Sequence, residues 1–306
     1  MLKTLDSKDI NLGLVCQTHS DLVKFKHLTK SRFDSLNKID KLKTLKQIYE
    51  YNLSKFIRAY EFCLDQNILL YRVYSNMFPF WDTNLGQNLL SNEYKDDLKA
   101  IGQNFMAKNI RLVTHPEQYV VLNSDSDTII QNSIKILAAH SLLFNLLDQP
   151  KNAYAAIIVH GGKGGSPDKL INTINNLPID IRSRLVLEND EICYSASEML
   201  KICLKAKIPM VFDAHHHVCK EKLDSFNDDS ITYYLDKAGQ TWSPNTDWQL
   251  VHISNGASHF NDRKHSDLIN DMPDSYRRVK WIEVEAKHKE LALEHLRTSW
   301  LKLAHR

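Results

Sequence analysis

The 306-residue sequence has no long apolar run and no stretch rich in proline, glycine or serine that would divide it. No apolar run approaches the roughly 20 residues that a membrane span needs. The N-terminus, MLKTLDSKDINLGLVC, has no long apolar stretch followed by a small-residue cleavage site, so it does not resemble a secretion signal. We therefore expect a cytoplasmic protein that does not bind membranes and that forms one domain over residues 1–306.

Cysteine is also scarce and unpaired in the sequence. None of the five cysteines is part of a CxxC pair, which argues against a disulfide framework and against a thiolate zinc site. The net charge of +2 is too small to indicate nucleic-acid binding, although a balanced total can hide a local basic face. Neither cysteine content nor net charge therefore identifies a partner.

Short apolar runs alternate with longer segments of helical period, a pattern typical of repeated β/α units around a parallel sheet. There are eight such runs: Leu12–Cys16, Ile68–Tyr74, Ile110–Thr114, Ala155–Val159, Arg184–Leu187, Pro209–Phe212, Gln249–Ile253 and Lys280–Val284. An open doubly wound sheet would usually show a Gly-rich turn after its first strand, but here the first run continues into CQTHSD. The sequence predicts an α/β fold, a single (β/α)8 TIM barrel.

Potential metal ligands lie at the ends of six consecutive predicted strands. They are His115, His160, Glu188, Asp213 with His216 three residues later, His252 and Glu285. In a β/α barrel the carboxyl ends of the strands meet at one face, where catalytic groups are found. We therefore expect these side chains to lie close together.

A single histidine or glutamate at a strand end more often caps or hydrogen-bonds than binds a metal. Six ionisable groups around one pocket are costly to bury unless their charges are compensated, and divalent cations are the simplest compensation. Imidazole and carboxylate ligands without thiolate suit Zn²⁺ or Mn²⁺. We predict a cluster of two or three divalent ions, with His216 and His265 as candidate ligands of a third.

Two features near these ligands give weaker signals. In the run His215, His216 and His217, only alternate side chains of an extended strand exit share a face, so the neighbours of His216 are expected to be supporting or solvated residues. The segment 161–165, GGKGG, lacks the spacing of a phosphate-binding loop and is interpreted as a flexible connection. A metal cluster of this kind supports hydrolysis of a phosphoester, but also isomerisation of a small sugar.

The chain resembles the ultraviolet damage endonucleases, relatives of the apurinic endonuclease TIM barrel, over residues 11–290. The similar motifs follow one another in the same order: NLGLVC, YRVYSN, THPEQYVVL, VHGG, LENDE, FDAHHH, VHISN and VEAK. The resemblance implies a manganese-type site of three ions, with Zn²⁺ or Mg²⁺ as alternatives. Its ligands would be His115, His160, Glu188, Asp213, His216, His252, His265 and Glu285, and its catalytic residues Glu188, His252 and Glu285.

The same resemblance implies contacts with damaged double-stranded DNA. Gln118 and Tyr119 would enter the duplex at the lesion, where an amide and an aromatic ring replace lost pairing and stacking. Arg72, Ser75 and Lys287 would contact DNA phosphates. We expect the protein to act as a monomer.

The chain departs from the family pattern at three places. Leu250 stands where family members usually carry a lysine, often described as carboxylated, two residues before the strand-seven histidine. The segment PFWDTN, residues 79–84, lacks a histidine that follows strand two in the family. The first-strand tyrosine expected near Leu14 is also missing.

The leading hypothesis is a metal-dependent DNA repair endonuclease. It would nick the phosphodiester bond 5′ to ultraviolet or other helix-distorting lesions and leave a 3′-hydroxyl. A metal-dependent sugar isomerase or epimerase of the same barrel class is the alternative, and a barrel that binds damaged DNA with weak catalysis is a third.

Overall fold

Eight parallel strands form a closed barrel in the computed structural model, which describes residues 4–116, 119–164 and 166–303. Each strand pairs with the next along the chain, and β8 pairs with β1. The strands are β1 Asn11–Val15, β2 Leu70–Val73, β3 Arg111–Thr114, β4 Ile157–His160, β5 Leu185–Glu188, β6 Met210–Asp213, β7 Leu250–Ile253 and β8 Trp281–Val284. The prediction of a TIM barrel is confirmed, and all eight predicted strands are found.

Helices connect the strands and surround the barrel. They are α1 Lys30–Ser35, α2 Lys38–Asp65, α3 Asn84–Asn92, α4 Lys95–Ala107, α5 Asp127–Leu146, α6 Pro167–Asn175, α7 Ile179–Arg182, α8 Ala196–Ala206, α9 Ala214–Glu221, α10 Asp229–Gln240 and α11 Glu290–Ser299. Helix α2 begins at Lys38, because the Asn37 side chain accepts a hydrogen bond from the Asp40 N–H at 2.9 Å and caps the helix there.

The strands are buried on both faces, as parallel strands covered by helices are. Side chains that alternate along the strands point either outward to the helices or into the barrel. The inward-pointing apolar residues, with one tryptophan from a loop, form an inner core: Leu70, Val113, Ala156, Ile158, Val186, Val211, Trp242, Leu250 and Trp281. This inner core fills the barrel beneath the strand ends that carry the predicted ligands.

Arg111 closes the amino-terminal end of the barrel. Its guanidinium donates to the carbonyls of Tyr154 at 2.8 Å and Trp248 at 2.9 Å, and it lies 5.3 Å from the ring centre of Trp281. The side chain is fully buried. Carbonyl oxygens and aromatic faces thus take the place of an anion around this cation.

Across the described ranges, every helix is too short or too polar to cross a bilayer. The proposal that residues 1–306 form one domain stays a prediction, since residues 1–3 and 304–306 lie outside the described parts of the chain.

Candidate metal centre

The predicted ligands converge at the carboxyl end of the barrel. His160 and Glu188 are the last residues of β4 and β5 and are partners across the two strands. Asp213 ends β6 and is likewise the partner of His252 on β7. The expectation that the strand ends meet is therefore correct for these four residues, because neighbouring strands end at the same level.

Glu188 lies at the centre of the cluster with 1% of its surface exposed. Its Oε2 is 3.0 Å from His115 Nε2 and 3.8 Å from His160 Nε2. Its Oε1 is 2.8 Å from His252 Nδ1 and 3.7 Å from His216 Nε2. One carboxylate thus faces four imidazoles, two on each oxygen.

Two groups of three ligand atoms are close enough to hold a metal ion. His115, His160 and Glu188 form one group, and Glu188, Asp213 and His216 form the other, with the ligand atoms of each group within 4.8 Å of one another. Glu188 belongs to both groups. The geometry is that of two neighbouring sites bridged by one carboxylate.

The chemistry of the pocket fits divalent cations. One buried atom of the cluster, Asp213 Oδ2, has no hydrogen-bond partner among the residues that the structure describes. Leaving a buried polar atom unpaired costs free energy, and such atoms call for an explanation such as an ion. Nitrogen and oxygen donors at this density are consistent with a divalent metal, but they do not distinguish Mn²⁺ from Zn²⁺.

His265 and Glu285 lie at the edge of the cluster. His265 Nδ1 is 3.9 Å from Glu285 Oε2, and Glu285 Oε1 is 3.4 Å from His252 Nδ1. Neither residue belongs to the two groups of three. The structure thus places His265 beside Glu285, at a distance that a bridging ion would span, and its role as a ligand stays a prediction.

Charge compensation within the cluster is reflected in the pKa values. Burial raises the pKa of Glu188, but the charges of His252 and His160 and a hydrogen bond from His115 outweigh it and hold the pKa well below its ordinary value. Burial lowers the pKa of His252, yet Glu188 and Glu283 raise it to about 10. The carboxylates are therefore ionised and are already paired with positive charge.

Glu283, which the sequence analysis did not identify, supports His252 from behind. Its Oε2 accepts from His252 Nε2 at 2.5 Å, and its Oε1 accepts from Arg72 Nε at 2.8 Å. His252 Nδ1 is thereby left to face Glu188. A carboxylate behind a histidine in this way fixes the ring and the nitrogen offered to a metal.

Glu191 has the same relation to His216. Its Oε2 is 2.7 Å from His216 Nδ1, and its Oε1 accepts from Arg263 Nη2 at 2.7 Å. His216 Nε2 is left toward Glu188 and Asp213. The sequence held a signal for each of these two supporting carboxylates. Glu283 is two residues before Glu285 and on the same strand face, and Glu191 belongs to the motif LENDE.

The interpretation of the His215–His217 run as an extended strand exit was wrong. Helix α9 begins at Ala214, because the Asp213 side chain accepts from the His216 N–H at 2.8 Å and caps the helix. The neighbours of His216 are buried rather than solvated: His215 bonds to Ser254 Oγ at 2.5 Å and His217 to Ser230 Oγ at 2.9 Å. Both hold α9 in place.

The residues expected to contact DNA are in different environments. Tyr119 is 66% exposed, and Ser75 lines the same small cavity as Tyr119. The Lys287 side chain is 55% exposed. Arg72 is 6% exposed and forms an ion pair of 2.6 Å inside the barrel. Gln118 falls outside the described residues.

Two of the three departures from the family pattern have a structural counterpart. Leu250 belongs to the inner core, in register with Trp281. In the segment 79–84, Phe80 stacks on Phe33 and Trp81 packs edge-on against His140. These positions of the chain are occupied by apolar packing.

A cavity of about 400 Å³ opens over the cluster. It is lined by Cys16, Arg72, His115, Pro116, Tyr119, His160 and Glu285. The exposed aromatic ring and the buried ligands therefore share one opening. Cys16, which directly follows β1, contributes a thiol whose pKa burial raises to about 11.

The chain is similar in sequence to known proteins. The sequence profile of the family described as UV-endonuclease UvdE matches residues 10–305. A protein of Nostoc sp. (strain PCC 7120), named UV DNA damage endonuclease, is 49% identical over 292 residues, which cover 95% of this chain and 90% of that protein.

Two solved structures share the barrel. The crystal structure of SacUVDE superposes with a TM-score of 0.78 at 26% identity and covers 94% of this chain and 98% of that one. Endonuclease IV from Thermus thermophilus superposes with a TM-score of 0.60 at 13% identity over 95% of this chain and 99% of that one. The second likeness concerns the fold alone.

Proposed function

This chain belongs to the UV-endonuclease UvdE family, and from that premise we propose that it is a metal-dependent enzyme that nicks DNA on the 5′ side of a lesion. It is a UV DNA damage endonuclease, a hydrolase that cleaves DNA. The nick would lie 5′ to ultraviolet or other helix-distorting lesions and would leave a 3′-hydroxyl. The observation that carries metal dependence is the position of Glu188 in two ligand groups at once.

Two or three divalent ions, with Mn²⁺ the first choice and Zn²⁺ or Mg²⁺ as alternatives, would be held at the strand ends. Their ligands would be His115, His160, Glu188, Asp213, His216, His252, His265 and Glu285. When bound, such ions lower the pKa of a water molecule, polarise a phosphate and stabilise the leaving oxygen.

The protein's own residues prepare the pocket for this chemistry. Glu188, His252 and Glu285 would act closest to the reacting phosphate, and Glu283 and Glu191 orient His252 and His216 behind it. A ligand whose ring is already fixed loses little freedom when it binds, which is the value of preorganisation.

Arg72 has a supporting place in this proposal. It pairs with both Glu283 and Glu285, and it is largely buried in the lining of the cavity over the cluster. On the exposed side, Tyr119 and Gln118 would enter the duplex, while Ser75 and Lys287 would face its backbone. The exposure of Tyr119 supports this assignment, since a ring without cover is available to stack on bases.

The substrate would be damaged double-stranded DNA, bound by one copy of the chain in the cytoplasm. Membership of the family argues against a sugar isomerase. Binding of damaged DNA with weak catalysis is the remaining alternative, because Leu250 and the segment 79–84 depart from the family pattern.

Incubation of the metal-free protein with Mn²⁺ and an irradiated, end-labelled duplex tests this function. We expect a nick on the 5′ side of the lesion that disappears with a chelator and returns with Mn²⁺. An intact duplex of the same sequence is the control. If the protein binds the irradiated duplex and produces no nick with Mn²⁺, Zn²⁺ or Mg²⁺, the binding-only alternative replaces the proposal.

A further inference from the structure

One segment of the chain carries a marked excess of positive charge. Residues 24–46, here called the basic segment, contain eight lysines and arginines and two aspartates, a net charge of +6, whereas the whole chain carries +2. The rest of the chain is therefore net negative. A charge asymmetry of this size points to a polyanionic partner for the segment itself.

Most of these cations are available to a ligand. Lys24 pairs with Asp21 and Lys30 with Asp34, both in exposed ion pairs that contribute little stability. Four other exposed cations have no acidic group within 4.0 Å in the described parts of the chain. They are Lys26, Arg32, Lys38 and Lys43. Lys26 also lies 4.0 Å from the centre of the Tyr51 ring, a contact that leaves its positive charge in place.

The basic segment lies on the catalytic face of the barrel. It follows β1, and Cys16, between them, lines the cavity above the metal ligands. Two contacts fix it to the rim: His27 Nδ1 is 3.1 Å from the Tyr74 hydroxyl just after β2, and Phe33 stacks on Phe80 with ring centres 3.9 Å apart.

The second contact links the segment to the exposed tyrosine. Phe80 lines the small cavity that Tyr119 and Ser75 also line. A duplex whose bases meet Tyr119 would continue over this side of the rim. Its backbone would then pass close to the row of uncompensated cations.

We propose that the basic segment binds the phosphate backbone of the duplex beside the lesion and provides a large part of the affinity for DNA. The inference rests on the proposed function, because the duplex is oriented by the contact of its bases with Tyr119. Lysines on flexible stems bind phosphates as point charges and do not read bases, so the segment should hold intact and irradiated DNA equally. Recognition of the lesion is left to the residues over the cavity.

The salt dependence of binding tests the proposal. The variant K26Q/R32Q/K38Q/K43Q is compared with the wild type by fluorescence anisotropy, using intact and irradiated duplexes in KCl from about 50 to 200 mM. The binding constant K falls with salt, and each phosphate contact contributes about −0.9 to the slope of log K against log salt. We therefore expect the slope of the variant to be less steep by about 2 to 4 for both duplexes.

A matched variant carries the same charge change at the other end of the barrel. Lys108, Lys151, Lys205 and Lys207 are exposed and precede β3, β4 and β6. The K108Q/K151Q/K205Q/K207Q variant should retain the wild-type slope. Equal slopes for the two quadruple variants would overturn the proposal, as would a loss of affinity for irradiated DNA alone.

Folding and function are separated within the same experiment. Thermal unfolding of both quadruple variants checks that they fold. If K26Q/R32Q/K38Q/K43Q does not fold, the double variants K26Q/R32Q and K38Q/K43Q replace it, each with a smaller expected change in the salt slope. Failure of the proposed function appears independently, as a wild-type protein that does not nick the irradiated duplex. The slopes for the intact duplex decide the present proposal in either case.

Discussion

Two buried arginines on neighbouring strands show how different the two ends of this barrel are. Arg72 on β2 is in contact with Glu283, Glu285 and His252 at the carboxyl end. Arg111 on β3 is surrounded at the amino end by backbone carbonyls and aromatic rings. The same side chain is balanced by ionised groups at one end and by dipoles at the other.

The two environments move the pKa of the guanidinium in opposite directions. Burial lowers both values, but the charges of Glu283 and Glu285 raise the pKa of Arg72 well above its ordinary value. For Arg111, burial outweighs the opposing effects of Tyr154, Glu283 and Asp247 and lowers the pKa to about 10. The amino end therefore contributes stability, and the carboxyl end concentrates ionised groups that can bind a metal.

The largest effect should follow from Glu188→Gln, which changes only the carboxyl end. The amide keeps the shape but removes the charge that both ligand groups share, so we expect nicking of irradiated duplex to fall on the order of 10³-fold. Gel assays of an end-labelled duplex measure this. Glu61→Gln, in an exposed pair on α2, is the matched control and should leave the rate unchanged. A loss of about tenfold or less would argue that Glu188 has no central role.

Arg111→Met tests the opposite end of the comparison. It leaves the carbonyls of Tyr154 and Trp248 without a donor, so the free energy of unfolding should fall by about 3 kcal/mol. Metal binding should be unchanged at temperatures where the variant is folded. Urea unfolding and Mn²⁺ titration check the two statements. A fall in metal affinity with unchanged stability would reverse the roles assigned to the two ends.

Glu283→Gln should weaken metal binding without unfolding the barrel. Loss of the carboxylate behind a ligating histidine typically lowers metal affinity about ten- to a hundredfold. Calorimetric titration of Mn²⁺ into the metal-free variant measures this directly. If Glu283 only fills space, Glu283→Gln will bind Mn²⁺ like the wild type. Metal binding would then not depend on the orientation of His252 by Glu283.

The barrel and several residues at its carboxyl end could be predicted from the sequence, because the apolar run that marks each strand is a local pattern. The apolar runs indicated the barrel, and His160, Glu188 and Asp213 followed from the rule that strand ends meet at one face. The spacing from Glu285 was a signal for Glu283, but its pairing with Arg72 could not be predicted, because the two residues are 211 positions apart in the chain.

The error at the histidine run has a local physical cause. Extended geometry was assumed beyond Asp213, but its side chain caps a helix that begins at the next residue. An aspartate at this position can serve as a cap of this kind and also as a metal ligand. The sequence shows that an aspartate is present, and only the backbone shows that it performs the first role.

The carboxyl end should also make the metal-free protein sensitive to acid. Burial raises the pKa of Glu283, but Arg72 and His252 lower it to about 2 from 4.5. A depressed pKa contributes stability that is present above about 4.5 and is lost as the pH falls toward 2. The wild type should therefore lose about 2 to 3 kcal/mol more than Glu283→Gln over this range, measured by urea unfolding, and Arg111→Met should lose as much as the wild type. If all three proteins lose the same free energy of unfolding between these pH values, the role assigned to Glu283 is contradicted.

The central claim is that the carboxyl end of the barrel holds divalent ions around Glu188. Crystals of the protein soaked in Mn²⁺, measured at the manganese absorption edge, test it most directly. The account predicts anomalous peaks between His115, His160 and Glu188 and between Glu188, Asp213 and His216, and no peak beside residue 188 in the Glu188→Gln variant. Density without an anomalous peak among these side chains, in a protein that still nicks irradiated DNA, would contradict it.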